Sequence, residues 1–248
     1  MPRVPSPALP LLYCDADLVA VSKPPGLASV ADGATEPCVV GLLRKRPELR
    51  DRSIVRVVHR LDRDASGVQL CARTLAAQRG LVAAFSARVV EQVYHAIVVG
   101  RPPDDGVIDV PLAFDRRRGK VIASAARGRP ARTRFRVLQR LAGHALLECH
   151  AETDRQHQLR VHLATLGHPL AVDPLYGGGE ALWLSHFKAG YSPSRKGEER
   201  PLIARLTLHA LRLTVPHPNT GVTLMLEAPP PKDFRAAVNQ LGRLADGR

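Results

Sequence analysis

The stretch IVRVVHRLDRDASGVQLCAR, residues 54–73, decides how this chain is read. Its opening IVRVV is a short apolar strand, and VQLCAR (68–73) is a second. Between them VHRLDRDASG forms a loop, and loops on a rigid scaffold expose their side chains and often carry chemistry. His59, Arg60, Asp62, Arg63 and Asp64 make this the densest group of reactive side chains in the sequence. Asp62 lies among cations, so it is expected to be ionised at neutral pH and able to act as nucleophile or base. Spacing alone leaves a second reading open, an ion-paired turn that Ser66 and Gly67 close.

Working outward, LVAVSK (18–23) reads as a strand stopped by Pro24, Pro25 and Gly26. Thr74 can cap a helix through TLAAQRGLVAAFSARV, and VYHAIVVG (93–100) is a β-branched strand ending at Gly100 before Pro102-Pro103. From Thr133 to Leu138 a period of nearly two puts arginines on one face and Phe135 and Val137 on the other. HALLECHAET (144–153) is a further strand. It leads into the helix QHQLRVHLATLG, with Leu159, Leu163 and Leu166 on one face and Gly167 as its stop. A Gly/Ser/Lys-rich loop covers residues 177–200, and LTLHALRLTV and VTLMLEA flank the hairpin-like PHPNTG. The strands are too many and too irregularly spaced for a doubly wound fold. The expected class is α+β, a mixed, largely antiparallel central sheet with flanking helices, in one domain over residues 1–248 with a short tail of about ten residues. Strand order is not readable from sequence.

The apolar PALPLLYC is too short for an export signal and is followed by Asp15 and Asp17. No run of about 18 apolar residues suggests a membrane span. Cys14, Cys38, Cys71 and Cys149 are scattered without a C-x-x-C pair, which fits reduced thiols. A soluble, cytoplasmic, monomeric protein is expected.

Charge narrows the partner. The 36 Lys+Arg against 23 Asp+Glu give a formal charge of +13. That balance suits a polyanion, and nucleic acid above all. Residues 116–136, RRRGKVIASAARGRPARTRFR, hold nine Lys/Arg and no acid, and a second basic stretch runs from Arg44 to Arg63.

ETDRQHQLRVH (152–162) is a second reactive group, with Arg155 and Arg160 near a helix start where anions are favoured. It reads equally well as the polar face of an amphipathic helix. His157 and His162 stand five apart, on different helical faces, and no E-x-x-H accompanies them, so no metal is expected. Ser66 lacks a G-x-S-x-G elbow, and no P-loop or dinucleotide fingerprint appears. Tyr94 is one of four tyrosines. It reads either as a cross-strand core residue or as a base-stacking platform.

In this order the motifs resemble the RluA family of pseudouridine synthases along almost the whole chain. SKPPGLAS (22–29) is similar to N-K-P-x-G, and VHRLDRDASG (58–67) to H-R-L-D-x-x-T-S-G. QVYHAIVVG (92–100) is similar to K-x-Y-x-A-x-V-x-G. DRQHQLRVHLATLGHPLAVDPLYG (154–177) resembles G-R-T-H-Q-I-R-x-H-x-x-x-x-G-x-P-I-x-G-D-x-x-Y-G. LHALRLTVPHPNTG (208–221) and APPPKDF (228–234) resemble the closing strand pair.

The resemblance implies the pseudouridine synthase catalytic fold and an RNA-modifying isomerase that needs no cofactor. Such an enzyme would act on structured RNA, 23S ribosomal or transfer RNA. Asp62 would be the catalytic carboxylate, Tyr94 would stack on the target base and serve proton transfer at its ring, and Arg160 would pair with Asp62. Arg60 would fill the gap left by a flipped-out uridine. Arg63, Arg116, Arg117, Arg118, Arg134 and Arg155 complete the expected RNA surface. Asp62 either attacks C1′ or removes the C2′ proton, and both routes stay open. Ala65, Gln92, Asp154 and Gln156 depart from the family pattern. With the first strand beginning within about 18 residues, no S4 RNA-binding domain is expected. A catalytically silent RNA-binding protein on the same scaffold is the competing reading.

Overall fold

The computed structural model describes residues 9–31, 37–49, 54–188, 190–191 and 198–247. The expected tail falls outside these up to residue 8, as do residues 50–53 of the second basic stretch and residues 189 and 192–197 of the Gly/Ser/Lys-rich loop. Along the chain the elements are β1 (Leu11–Cys14), β2 (Leu18–Lys23), α1 (Val39–Arg44), β3 (Arg56–Val57), β4 (Ser66–Ala72), α2 (Leu75–Ser86) and β5 (Glu91–Val99). They continue with β6 (Asp105–Asp109), β7 (Leu112–Asp115), β8 (Lys120–Ala123), β9 (Arg132–Leu141), β10 (His144–Ala151) and α3 (Gln158–Thr165). β11 (Leu208–Pro216), β12 (Thr223–Glu227) and α4 (Lys232–Ala245) close the chain. The class is α+β and the pairing antiparallel, as expected. The chain divides into two compact units, residues 1–92 with 210–229, and residues 93–209 with 230–248.

In the first unit the strands run β1-β2-β4-β11, with β3 on β4 and β12 on β11. LVAV of β2 is apolar at every position because both faces of the sheet are covered. Leu18 and Ala20 join Leu70, Ala77 and Leu81 on the α2 side. Val19 and Val21 join Val39, Leu43 and Cys71 on the α1 side. Each fully buried leucine or valine among them contributes roughly 1.5–3 kcal/mol. Thr74 caps α2 as read, its hydroxyl accepting from Ala77 N at 3.0 Å. Gly67 has φ +119, and a Cβ there would stand 2.1 Å from the Ala210 carbonyl oxygen. Only glycine fits where the reactive loop enters β4.

In the second unit the order is β5-β10-β9-β6, with β7 and β8 as a separate hairpin. Tyr94 pairs with Cys149, which pairs with Phe135, so the three share one sheet face. The opposite alternation gives the other face, where α4 packs Phe234, Ala237 and Leu241 against Ile97 and Leu146. α3 is tied to the Tyr94 face, because Gln158 and His162 both reach the Thr133 hydroxyl, at 3.0 and 2.9 Å.

Three features depart from the sequence reading. β1 is a strand inside the apolar PALPLLYC, where no element is expected. β8 lies within the segment 116–136, read mainly as basic surface, and β6 and β7 precede it where no strand is expected. APPPKDF does not belong to the closing strand pair: β12 ends at Glu227 and α4 begins at Lys232. The proline run 229–231 offers no N–H donors, so the chain must leave the sheet there. No helix among the described residues is long and apolar enough to cross a membrane.

Candidate active site

The first unit holds Asp62 on a loop clamped by buried side chains. Lys23, only 1% exposed, donates to the carbonyls of Pro24, Leu27 and Arg63 at 3.1, 2.8 and 2.9 Å. The Ser29 hydroxyl accepts from Leu61 N at 3.1 Å and lies 3.1 Å from its carbonyl. Gln69 Nε2 donates to the His59 carbonyl at 2.7 Å. The backbone is thus held on both sides of Asp62, which is itself half-buried, its carbonyl accepting from Ala65 N at 3.2 Å. Burying polar groups this way is tolerated only because they bond one another. Arg60 and Arg63 are exposed beside it.

His59 is framework rather than acid or base. Its Nε2 accepts from Leu70 N at 3.0 Å, so the proton sits on Nδ1. Its ring stacks on Phe85 at 5.3 Å. Burial pushes its pKa down to about 4. Folding therefore requires the neutral ring. As pH falls from about 6.5 towards 4 the unfolded chain takes up a proton that the folded chain refuses, and stability drops by about 3 kcal/mol. Urea titrations at pH 7.5 and 4.5 should show this fall, and His59→Gln should flatten it. A wild-type profile without the drop would place a charged ring in the fold.

Tyr94 and Arg160 lie in the second unit. Tyr94 is half-buried on β5. Arg160 projects from α3, and its Nε and Nη2 donate to the two Asp173 oxygens at 2.7 and 2.8 Å. Asp173 is wholly buried, and the Arg160 side chain is 12% exposed. The motif reading quoted Asp173 without assigning it a role, and the same holds for Tyr176, whose ring centre lies 5.0 Å from the Arg160 guanidinium carbon. The histidines of RQHQLRVH are engaged in hydrogen bonds. His157 Nδ1 lies 2.8 Å from the Tyr176 hydroxyl, and His162 bridges Thr133 and the Val110 carbonyl. No cluster of His, Cys, Asp and Glu suited to a metal occurs among the described residues. Arg155 donates to the Pro130 carbonyl at 3.1 Å. Burial pushes the Cys71 and Cys149 thiols up to about 12, which leaves them inert at neutral pH.

The basic segment 116–136 separates into two kinds of surface. Arg132 and Arg134 both pair with Glu152, and Arg136 pairs with Glu148 at 2.8 Å. The Arg136 hydrogen bond holds the Glu148 carboxyl below its usual range. Arg134, expected to bind RNA, thus already has a cross-strand acid. The β7–β8 tip differs. Asp115 Oδ1 accepts from Arg117 N and Arg118 N at 2.9 and 3.2 Å, an Asx turn that fixes the tip. Arg116, Arg117 and Arg127 form no ion pair among the described residues. With Arg118, Asp115 and Phe114 they line a cleft of about 660 Å³. Phe114 is 56% exposed there, a ring that sequence reading passed over. An exposed ring among arginines suits a stacked base with its phosphates.

Comparison with known proteins follows the same line. A family model described as RNA pseudouridylate synthase matches residues 17–165. The "Ribosomal large subunit pseudouridine synthase D" of Neisseria meningitidis serogroup B is 38% identical over 235 residues, covering 93% of this chain and 61% of the relative. The protein of that name from Xanthomonas campestris is 39% identical over 242 residues, covering 94% of this chain and 69% of its own. The chain thus spans about six-tenths of the length of the first Neisseria relatives. The solved structure titled "Human RNA Pseudouridylate Synthase Domain Containing 4" superposes with a TM-score of 0.72 at 25% identity, over 94% of this chain and 92% of that one. By its motifs, its fold and these relatives, the chain belongs to the RNA pseudouridylate synthase family.

Proposed function

We propose that this chain isomerises uridine to pseudouridine in structured RNA, and that large-subunit ribosomal RNA is its substrate. The reaction breaks the N1–C1′ bond, turns the uracil and joins C1′ to C5; the C5 hydrogen leaves as a proton and N1 takes up one proton. Electrons and heavy atoms balance without a cofactor. Asp62 is the essential carboxylate, Tyr94 the ring against the base and Arg160 the cation held for the reacting centre. Arg60, Arg63 and Arg155 with the β7–β8 tip dock the RNA.

The observation that carries this reading is the clamp on the Asp62 loop. Lys23, Ser29 and Gln69 spend buried polar groups on aiming one half-exposed carboxylate. A turn that merely closed a strand pair would not need them. The relatives' names support ribosomal RNA. We place the activity in the cytoplasm, where the four free cysteines stay reduced, and take residues 1–248 as one catalytic domain acting as a monomer.

The test is tritium release from a large-subunit ribosomal RNA transcript labelled at uridine C5. One tritium per modified nucleotide is expected, and none from the wild-type chain would sink the proposal. The docking surface has its own test. Replacing Arg116, Arg117 and Arg118 by alanine should weaken RNA binding and lower the slope of log K against log salt by about two to three. Arg134→Ala should lower it less, since Glu152 already neutralises that charge. A slope unchanged in the triple variant would move the RNA surface elsewhere.

A further inference from the structure

Tyr176 joins the β7–β8 hairpin to the first turn of α3. Its hydroxyl accepts from the backbone N–H of Val121 on β8 at 3.1 Å and lies 2.8 Å from Nδ1 of His157, the residue before α3. A phenol has one proton and two acceptor sites. With Val121 occupying one site, the hydroxyl keeps its proton and its second acceptor site for the bond with His157. The ring packs with Leu112, Val121, Ala131 and Val161, residues of the hairpin, its approach and α3. Two cations approach it: Lys120 Nζ at 5.3 Å, next to the arginine tip, and the Arg160 guanidinium carbon at 5.0 Å. Lys120 also donates to the Leu175 carbonyl at 3.0 Å. Tyr176 N donates to the carbonyl of Asp173, the residue whose carboxylate grips Arg160.

We infer that Tyr176 is a positioning residue that ties the setting of Arg160 to the state of the hairpin. RNA drawing on Arg116–Arg118 and Lys120 is felt at the guanidinium through the Val121–Tyr176–His157 bonds. This rests on reading the chain as a uridine isomerase. The competing view is that the ring only fills a small apolar cluster, in which case its hydroxyl is dispensable.

Tyr176→Phe separates the two, because it keeps the ring and removes both hydroxyl bonds. In the RNA-free protein, amide exchange over residues 120–123 and 157–161 should quicken together, on the order of fivefold, for the loss of about one net hydrogen bond. Melting temperature should change little. With a large-subunit ribosomal RNA transcript at saturation, the single-turnover rate should fall on the order of tenfold while RNA affinity stays within about twofold. Arg117→Ala should slow single turnover in the wild-type background and add nothing in the Tyr176→Phe background. Exchange that quickens in one segment or in neither overturns the inference, as does an Arg117→Ala effect equal in both backgrounds. A wild-type chain that releases no tritium defeats the isomerase reading instead, and the exchange measurement reads the Tyr176 linkage without RNA or turnover.

Discussion

Asp62→Ala should abolish pseudouridine formation, lowering the single-turnover rate by at least about 10³-fold, while RNA binding survives. The side chain removed is half-buried, and none of the hydrogen bonds that hold the loop passes through it in the clamp of Lys23, Ser29 and Gln69. The variant should therefore fold and melt close to wild type. Asp62→Asn keeps the shape while removing the charge, and should be as inactive. Tritium release read beside filter binding of the same transcript separates chemistry from docking. Release that persists in either variant would show that the reacting group lies elsewhere. A wild-type chain that binds the transcript and releases nothing would establish the silent binding protein.

Asp173→Ala should cost about 3–5 kcal/mol, because it takes the bidentate carboxylate away from the largely buried Arg160 guanidinium. For a chain of this size that corresponds to roughly 10 °C in melting temperature. Replacing both partners, Arg160→Met with Asp173→Leu, removes both buried charges and should restore most of the stability. The double variant should stay inactive, since Arg160 is assigned to the reaction. Calorimetry of the two variants with their tritium release decides the matter. A single variant melting within about 2 °C of wild type would mean the pair contributes little to the fold. An active double variant would remove Arg160 from the chemistry.

What was readable from the sequence was local. Thr74 caps α2 through a residue three positions on, and LVAVSK and HALLECHAET are strands by their own side chains. The Asp62 loop was recognisable for the same reason, as were Tyr94 and Arg160 once the motif order was seen. The proline run before α4 is a strand stop legible in the sequence, although its motif resembles the closing strand pair. Asp173 and Tyr176 stood in plain view within AVDPLYG, yet nothing in that segment says which side chain grips Arg160.

The sequence alone determined the α+β class, the reactive loop, the basic character and the family, because these depend on composition, periodicity and the spacing of neighbours along the chain. Tertiary structure alone decided which charges remain available. The nine cations of residues 116–136 look equivalent in order, but antiparallel register sets Arg136 opposite Glu148 and Arg134 opposite His150, beside Glu152. The tip at Arg116–Arg118 extends beyond that pairing. A charge is neutralised by what lies across from it, and the partner across a sheet is fixed by pairing rather than by position in the chain.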